Sequence, residues 1–261
     1  PNFQICVAIY MIHKLFPYLC KNYVSMEYKN RIADKLLRDK LEAMGAVLIE
    51  GPKACGKTTT AEQQAKSIIY MDDPVKQEQY KQMAQTNIRF LLEGETPRLI
   101  DEWQHQFMLT GSAVPADMKE IHHTGTGRYG WLTMRPMSLW ESGESTGEVS
   151  LSDLFLTPDR IGALNKLTLP MLAFAACRGG WPKSLQKKTE KAALSQVTEY
   201  YKAITNSDIS RVDNVKRDEE RAKRIMRSYA RHQGSQASIA TILADISTND
   251  TGNISDETVG A

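Results

Sequence analysis

The residues with the clearest chemical signal are Gly51 to Thr58, which read GPKACGKT and fit the pattern G-x-x-x-x-G-K-[ST]. Glycines in such a loop let backbone N–H groups curve around a phosphate, and the following helix directs its positive end at the same charge. In this pattern Lys57 would reach the β- and γ-phosphates, and the Thr58 hydroxyl would ligate Mg²⁺. A chance match in a chain this long is on the order of one per cent. The segment therefore predicts a nucleotide site.

An acidic pair, Asp101-Glu102, ends the apolar stretch of PRLIDEW about fifty residues after this loop. Open α/β sheets bind ligands at the carboxyl ends of their strands, and we expect the pair to stand there. Asp101 is expected to hold Mg²⁺ through water, and Glu102 to orient or deprotonate the attacking water. The pair is weak evidence alone, but together with the loop it favours hydrolysis over binding alone.

Further polar residues could complete this site. FMLTGS predicts a strand that ends in hydroxyls, and Thr110 or Ser112 would then sense the γ-phosphate; the alternative is a strand that ends in turn residues. Arg128 in GTGR and Arg135 in MRPMSLWE would sense the nucleotide or act on a neighbouring subunit, and the alternative for both is a surface salt bridge.

We predict catalytic roles for Lys57, Glu102 and Arg128, and Mg²⁺ contacts for Thr58 and Asp101. The residues expected to contact ATP are Gly51, Pro52, Lys53, Ala54, Cys55, Gly56, Lys57, Thr58, Thr59 and Thr110.

Two other sets of reactive groups have plainer interpretations. Cys55 stands near a helix N-terminus, where a thiol pKa tends to fall, so redox control is one hypothesis; the favoured one is a small residue that the loop tolerates. DMKEIHH offers Asp117, Glu120, His122 and His123 as metal ligands, but adjacent histidines point in different directions on a helix. We therefore favour a nucleotide site without a transition-metal centre.

Strand and helix patterns alternate around the loop, which predicts an α/β fold with a parallel sheet flanked by helices. Strands are predicted at residues 46–50, 67–73, 98–102 and 107–112, and helices at 59–66 and 76–92. Only five residues separate Asp101 from Phe107, whereas parallel strands need a crossover of a dozen or more. A tight hairpin is the alternative, but EWQHQ has no Gly, Asn or Pro for a turn. We infer that a helical connection is missing, either left out of the numbered sequence, which we favour, or deleted from the gene.

The quoted motifs, with MDDP, LLEGETPRLIDEWQ, LTGSAVP, TGTGR and MRPMSLWESGES, resemble a group of bacterial and archaeal AAA-type ATPases. Such proteins have an ATP-binding domain, a winged-helix region and a C-terminal module of unknown function. The likeness runs from Met26 to Ala261 and implies that Lys57, Thr58, Asp101 and Glu102 bind nucleotide and Mg²⁺. It also implies a helix between the two strands, and a Gly-Gly-aromatic-Pro element, here GGWP, that joins the ATPase to a helical lid. The chain departs from the group in its extra residues 1–25, its absent helix and its missing C-terminal module.

The C-terminal part is helical in pattern and basic, since residues 183–232 hold 13 Lys and Arg against 7 Asp and Glu. RDEERAKRIMRSYARHQG predicts one amphipathic helix closed by Gly234, ASIATILADIS a second, and SDETVGA the start of a third, capped by Ser255. This order is that of a winged helix, so DNA binding through Arg224 and Arg227 is one hypothesis. A lid or partner-docking module is its main competitor.

Composition is that of an ordinary globular protein, with 261 residues, 41% apolar residues and a net charge of +2. This charge demands neither nucleic acid nor an anionic membrane as a partner. Four scattered cysteines suit a reducing compartment, which predicts a cytoplasmic protein. FQICVAIYMIHKLFPYLC near the start is interrupted by His13, Lys14 and Pro17, so we expect no membrane span. MEYKNRIADKLL from Met26 reads like a natural start.

These observations predict an α/β P-loop NTPase (AAA-like) with a parallel sheet flanked by helices, followed by a helical winged-helix-like domain. The expected divisions are residues 1–25, an extension that one interpretation makes non-native; 26–150, the ATPase core; 151–182, a lid or connector; and 183–261, the helical domain. The predicted function is ATP binding and Mg²⁺-dependent hydrolysis that moves the C-terminal domain, with ATP/ADP, DNA and a second copy of the chain as candidate partners. The alternatives are a nucleotide-regulated DNA-binding protein and a remnant that binds nucleotide without turnover.

Overall fold

The computed structural model describes residues 28–44, 46–71, 73, 75–87, 89–101, 109–110, 129–209 and 218–249. The chain divides into two compact units, Pro1–Ser195 and Gln196–Ala261. Within the described ranges, no helix is both long enough and apolar enough to cross a membrane. The apolar stretch at residues 3–20 lies outside those ranges.

The first unit is built on a five-stranded sheet in the order β2-β3-β4-β1-β5, in which every neighbouring pair is parallel. Its strands are β1 (Val47–Glu50), β2 (Ser67–Tyr70), β3 (Arg98–Asp101), β4 (Leu109–Thr110) and β5 (Gly130–Thr133). Each of the four strand predictions is confirmed at its position; β1 begins one residue later than predicted, and β2 ends three residues earlier. Because all strands are parallel, their carboxyl ends meet at one edge of the sheet.

Helices cover both faces of this sheet. Consecutive strand residues point to opposite faces, and Leu99 and Ile100 accordingly join two different apolar clusters. One cluster includes Leu37 of the first helix and Ile49 of β1, and the other includes Leu91. The helices of this unit are α1 (Ile32–Met44), α2 (Lys57–Glu62), α3 (Gln77–Thr86), α4 (Arg89–Leu92), α5 (Leu139–Ser142), α6 (Leu151–Leu156), α7 (Leu169–Arg178), α8 (Pro182–Leu185) and α9 (Glu190–Ala203), the last of which continues into the second unit.

The helix predicted over residues 76–92 is wrong as a single element. Asn87 takes an extended conformation with φ −160° and ψ 104°, which ends α3. Its side-chain oxygen accepts a hydrogen bond from the Arg89 N–H at 3.0 Å. Asparagine competes in this way with the helical hydrogen bonds, so the chain starts a new helix, α4.

The two strands with the short link are direct parallel neighbours. Ile100 pairs with Leu109, and Asp101 pairs with Thr110. The connecting residues 102–108 lie outside the described ranges. A link of this length is shorter than the usual parallel crossover, so a missing helical connection stays a prediction.

The second unit contains the end of α9, a π-helical turn at Ile204–Asp208, and two further helices, α10 (Glu219–Arg231) and α11 (Ile239–Asn249). Ile242 and Ile246 of α11 are buried and pack with Ile225 of α10. The chain leaves α10 through Gly234, whose φ of +77° suits glycine, as the sequence predicted. The expected third helix, capped by Ser255, lies outside the described residues, so the winged-helix interpretation stays a prediction.

Candidate phosphate-binding site

The loop between β1 and α2 has the backbone conformation that its glycines allow. Gly51 has a φ of +147°, Ala54 of +62° and Gly56 of +100°. These positive values curl the chain tightly before α2 begins at Lys57. The structure therefore brings together all eight residues of the sequence motif in one compact turn.

Lys57 is 5% exposed, and its ammonium group lies against the loop itself. Its Nζ donates to the carbonyl oxygens of Gly51 at 2.9 Å and Pro52 at 3.0 Å. Among the residues that the structure describes, no carboxylate forms an ion pair with this lysine. A buried charge needs a partner, so this arrangement suits an anion in the loop.

The register of the sheet fixes where the backbone of Asp101 lies relative to this loop. Ile49 of β1 pairs with Thr110 of β4, which in turn pairs with Asp101 of β3. Two strand spacings correspond to about 10 Å, so the Asp101 backbone lies about 10 Å from that of Ile49 along the same edge of the sheet. The loop leaves that edge at Gly51, two residues after Ile49. The predicted nucleotide and Mg²⁺ segments thus meet at one edge.

The structure describes Thr58 and Thr59 among the remaining predicted site residues, whereas others lie outside the described ranges. Thr58 is half-buried and Thr59 is exposed at the start of α2. Glu102, Ser112 and Arg128 lie outside the described ranges, as do the residues of DMKEIHH. Over the part of the chain that is described, no group of three or more His, Cys, Asp and Glu side chains could hold a metal ion.

The structure contradicts the hypothesis that Cys55 provides redox control. Its side chain is fully buried and belongs to the apolar cluster of β1 and α1. Burial raises the pKa of the Cys55 thiol, and this effect outweighs the nearby charges of Lys57 and Arg31. The simpler interpretation, a small residue packed under the loop, is the one that the contacts support.

A second buried cation, Arg31, contacts the loop, and no pattern in the sequence predicted it. Its Nη1 donates to the Cys55 carbonyl at 2.9 Å, and its Nη2 to the Arg135 carbonyl at 2.7 Å. Its Nε donates to Glu141 Oε1 at 2.9 Å. The side chain of Arg135, which we predicted to sense the nucleotide or to act on a neighbouring subunit, is exposed. No local pattern in YKNRIADKLL marks Arg31, because its partners lie 24 to 110 residues away.

Glu141 is the anchor for Arg31. It closes a capping box at the start of α5, where its carboxylate accepts from the Ser138 N–H at 2.8 Å. It also accepts from the Ile32 N–H at 2.9 Å. Burial by itself raises the pKa of Glu141. The N–H groups of Ser138 and Ile32, together with Arg31, lower it by more than burial raises it, so the pKa of Glu141 lies below its usual value. The S-x-x-E pattern of SLWE would have predicted the cap, though not the partner.

Tyr28 ties the segment before α1 to α2. Its hydroxyl donates to Asp34 Oδ1 at 2.5 Å and lies 3.1 Å from Thr60 Oγ1. Thr60 is completely buried on α2. Burial and the Asp34 carboxylate raise the pKa of Tyr28, which keeps the hydroxyl protonated as a donor.

The GGWP element packs beside the phosphate-binding loop. The Met137 N–H donates to the Gly180 carbonyl at 2.7 Å, and a Cβ on Gly180 would stand 2.0 Å from the Met137 oxygen. Trp181 is half-buried against the cluster of β1 and α1. Pro182 is the first residue of α8, and its ring would lie 3.5 Å from a Cβ on Gly56.

Comparison with known protein families gives a match in the C-terminal part of the chain. Residues 170–259 match a family described as a domain of unknown function (DUF8612). The match covers about a third of the chain, from α7 to α11, and does not include the loop at Gly51–Thr58. No curated protein and no solved structure matches the chain significantly.

Proposed function

We propose that the chain is a P-loop NTPase that binds ATP with Mg²⁺ at Gly51–Thr58 and hydrolyses it. The observation that carries this proposal is the buried Lys57 ammonium, bonded to the carbonyls of its own loop at the carboxyl edge of a parallel sheet. A triphosphate would supply the negative charge that this lysine lacks among the described residues.

The residues present fit such a ligand. Two of the three loop residues with a positive φ are glycines, Gly51 and Gly56, and a side chain on Gly51 would collide with the Met134 carbonyl. Thr58 offers the hydroxyl, and Asp101 the carboxylate, that would hold Mg²⁺. The ion would neutralise charge that develops on the phosphates during hydrolysis.

The steps beyond binding rest on residues outside the described ranges. Glu102 follows Asp101 directly and would orient or deprotonate the attacking water. Arg128 would contact the γ-phosphate, and hydrolysis would shift the conformation of the C-terminal domain. We place this activity in the cytoplasm, where free thiols such as Cys55 and Cys177 persist.

The direct test compares ATP binding and turnover in the wild type, Lys57→Ala and Glu102→Gln. We expect Lys57→Ala to weaken ATP binding at least tenfold, because it removes the charged contact to the phosphates. Glu102→Gln is expected to retain binding but to lower turnover by about two orders of magnitude or more.

The matched control is Lys81→Ala, which removes an exposed lysine on α3, a helix that lies away from the loop in sequence. It should leave both binding and turnover unchanged. Activity that survives Lys57→Ala at the wild-type level would refute the proposed site.

A second candidate function, nucleotide binding without turnover, is favoured by the link between β3 and β4. Seven residues join two adjacent parallel strands, and Glu102 is the first of them. A strained or shortened link would misplace this glutamate while leaving the loop at Gly51–Thr58 intact. ATP binding that needs Lys57, without measurable hydrolysis by the wild type, would identify this function.

A further inference from the structure

Arg31 joins three separate segments of the first unit through one guanidinium group. Its three donors reach the phosphate-binding loop at Cys55, the exit of β5 at Arg135 and the α5 cap at Glu141. The residue is 7% exposed, and the side chain of Glu141 is 6% exposed. The ion pair is therefore shielded from solvent, and its charged hydrogen bonds hold the two side chains in a fixed geometry.

We propose that Arg31, oriented by Glu141, is a positioning residue that sets the conformation of the phosphate-binding loop. This inference rests on the proposed function, because it concerns ATP affinity at the same loop. Neither residue needs to touch the nucleotide, since both act through the backbone of Cys55.

The peptide between Cys55 and Gly56 transmits the effect. In a trans peptide the N–H and C=O groups point in opposite directions. The bond from Arg31 Nη1 to the Cys55 carbonyl therefore also fixes the direction of the Gly56 N–H. Gly56 has a φ of +100°, and glycine alone would allow this peptide to rotate freely. Arg31 selects one of the available orientations.

Only an arginine can make this set of contacts. The guanidinium group is planar and presents its donors in a fixed fork, so one side chain can reach three acceptors at once. A lysine at the same position would keep the charge beside Glu141 but would carry its donors on a single nitrogen. A comparison of arginine with lysine at position 31 therefore separates the effect of the positive charge from the effect of the hydrogen-bond geometry.

The test must separate loop positioning from general stability. Removing one partner of a buried ion pair leaves an uncompensated charge, whereas replacing both by apolar side chains avoids that cost. The informative variant is thus the double replacement Arg31→Met with Glu141→Leu. Its dissociation constant for ATP in the presence of Mg²⁺ is measured by titration, and its Tm by circular dichroism.

The matched control is Arg178→Met with Glu144→Leu. This pair is also largely buried and bidentate, with both N–O distances at 2.8 Å, but among the described residues it forms no hydrogen bond to the phosphate-binding loop. We expect the Arg31–Glu141 replacement to weaken ATP binding about tenfold or more at a Tm similar to that of the control, which should retain wild-type affinity.

If the double replacement does not fold, Arg31→Lys is the variant whose ATP binding is measured instead. It should also weaken ATP binding, with a smaller loss of Tm, because the charge remains while the contact to the Cys55 carbonyl is lost. Wild-type affinity in either folded variant would overturn the inference. If the wild type itself fails to bind ATP in a manner that depends on Lys57, the proposed function fails instead, and the two failures are thereby distinguished.

Discussion

Gly51 occupies the point where β1 turns into the phosphate-binding loop. Its φ is +147°, and a Cβ there would stand 2.2 Å from the Met134 carbonyl oxygen. Met134 cannot move aside easily, because its N–H donates to the Glu50 carbonyl at 2.7 Å. Both the backbone angle and the close approach of Met134, which directly follows β5, therefore require glycine.

Gly51→Ala is expected to lower the free energy of unfolding by about 2 kcal/mol or more, since it adds backbone strain to a steric collision. Urea denaturation measures the difference. Gly162→Ala is the control, because a Cβ at Gly162 would meet no atom within 4 Å. Equal stability of the two variants would contradict the close packing at Gly51.

At the scale of elements, polar side chains decide where helices end and how α10 and α11 are held together. Asn87 divides what the apolar spacing predicts as one helix. Arg231 of α10 binds Asp245 of α11, with Nε and Nη2 donating to Oδ2 at 2.9 and 2.5 Å. Lys223 of α10 pairs with Glu219 and Glu220 of the same helix. Part of the basic charge that suggested DNA binding is thus engaged by acidic side chains.

The pair between α10 and α11 predicts a pH dependence of stability. The Arg231 hydrogen bonds, followed by that from Ser228, lower the pKa of Asp245 to about 2. Because the folded-state pKa lies below the unfolded value of about 4, the stabilisation is present above pH 4 and is lost as the pH falls towards 2.

Asp245→Asn should therefore lower the Tm at pH 6 and reduce its decrease between pH 5 and pH 2. Thermal unfolding followed by circular dichroism measures both effects. Glu199→Gln provides the comparison, since the Glu199–Lys202 pair lies within one helix with both side chains more than half exposed. An Asp245→Asn profile that matches the wild type at every pH would rule out a stabilising role for this pair.

At the scale of the whole molecule, the link between β3 and β4 is the feature that agrees least with ordinary protein architecture. The strands are parallel neighbours in the sheet, yet only residues 102–108 join them. We expect the coding sequence between Gln104 and Gln106 to contain additional codons for a helix. Sequencing the gene across this position tests the expectation, and an uninterrupted reading frame through Gln104, His105 and Gln106 would exclude it.

The sequence by itself determined the features that depend on local order. Glycine spacing marked the loop at Gly51–Thr58, and apolar runs located the strands, because both reflect the conformational preferences of neighbouring residues. The compact loop around Lys57 was predictable on these grounds. The break at Asn87 was missed, since apolar spacing continues through it and only a side-chain hydrogen bond ends the helix.

Only the tertiary structure decided the features that depend on residues far apart in the chain. It placed Asp101 two strands from β1, buried Cys55 so that its thiol pKa rises rather than falls, and brought Arg31 to the loop and to Glu141. These outcomes follow from the packing of helices on the sheet. Burial and long-range hydrogen bonds leave no periodic pattern in a single sequence, so no local reading could have located them.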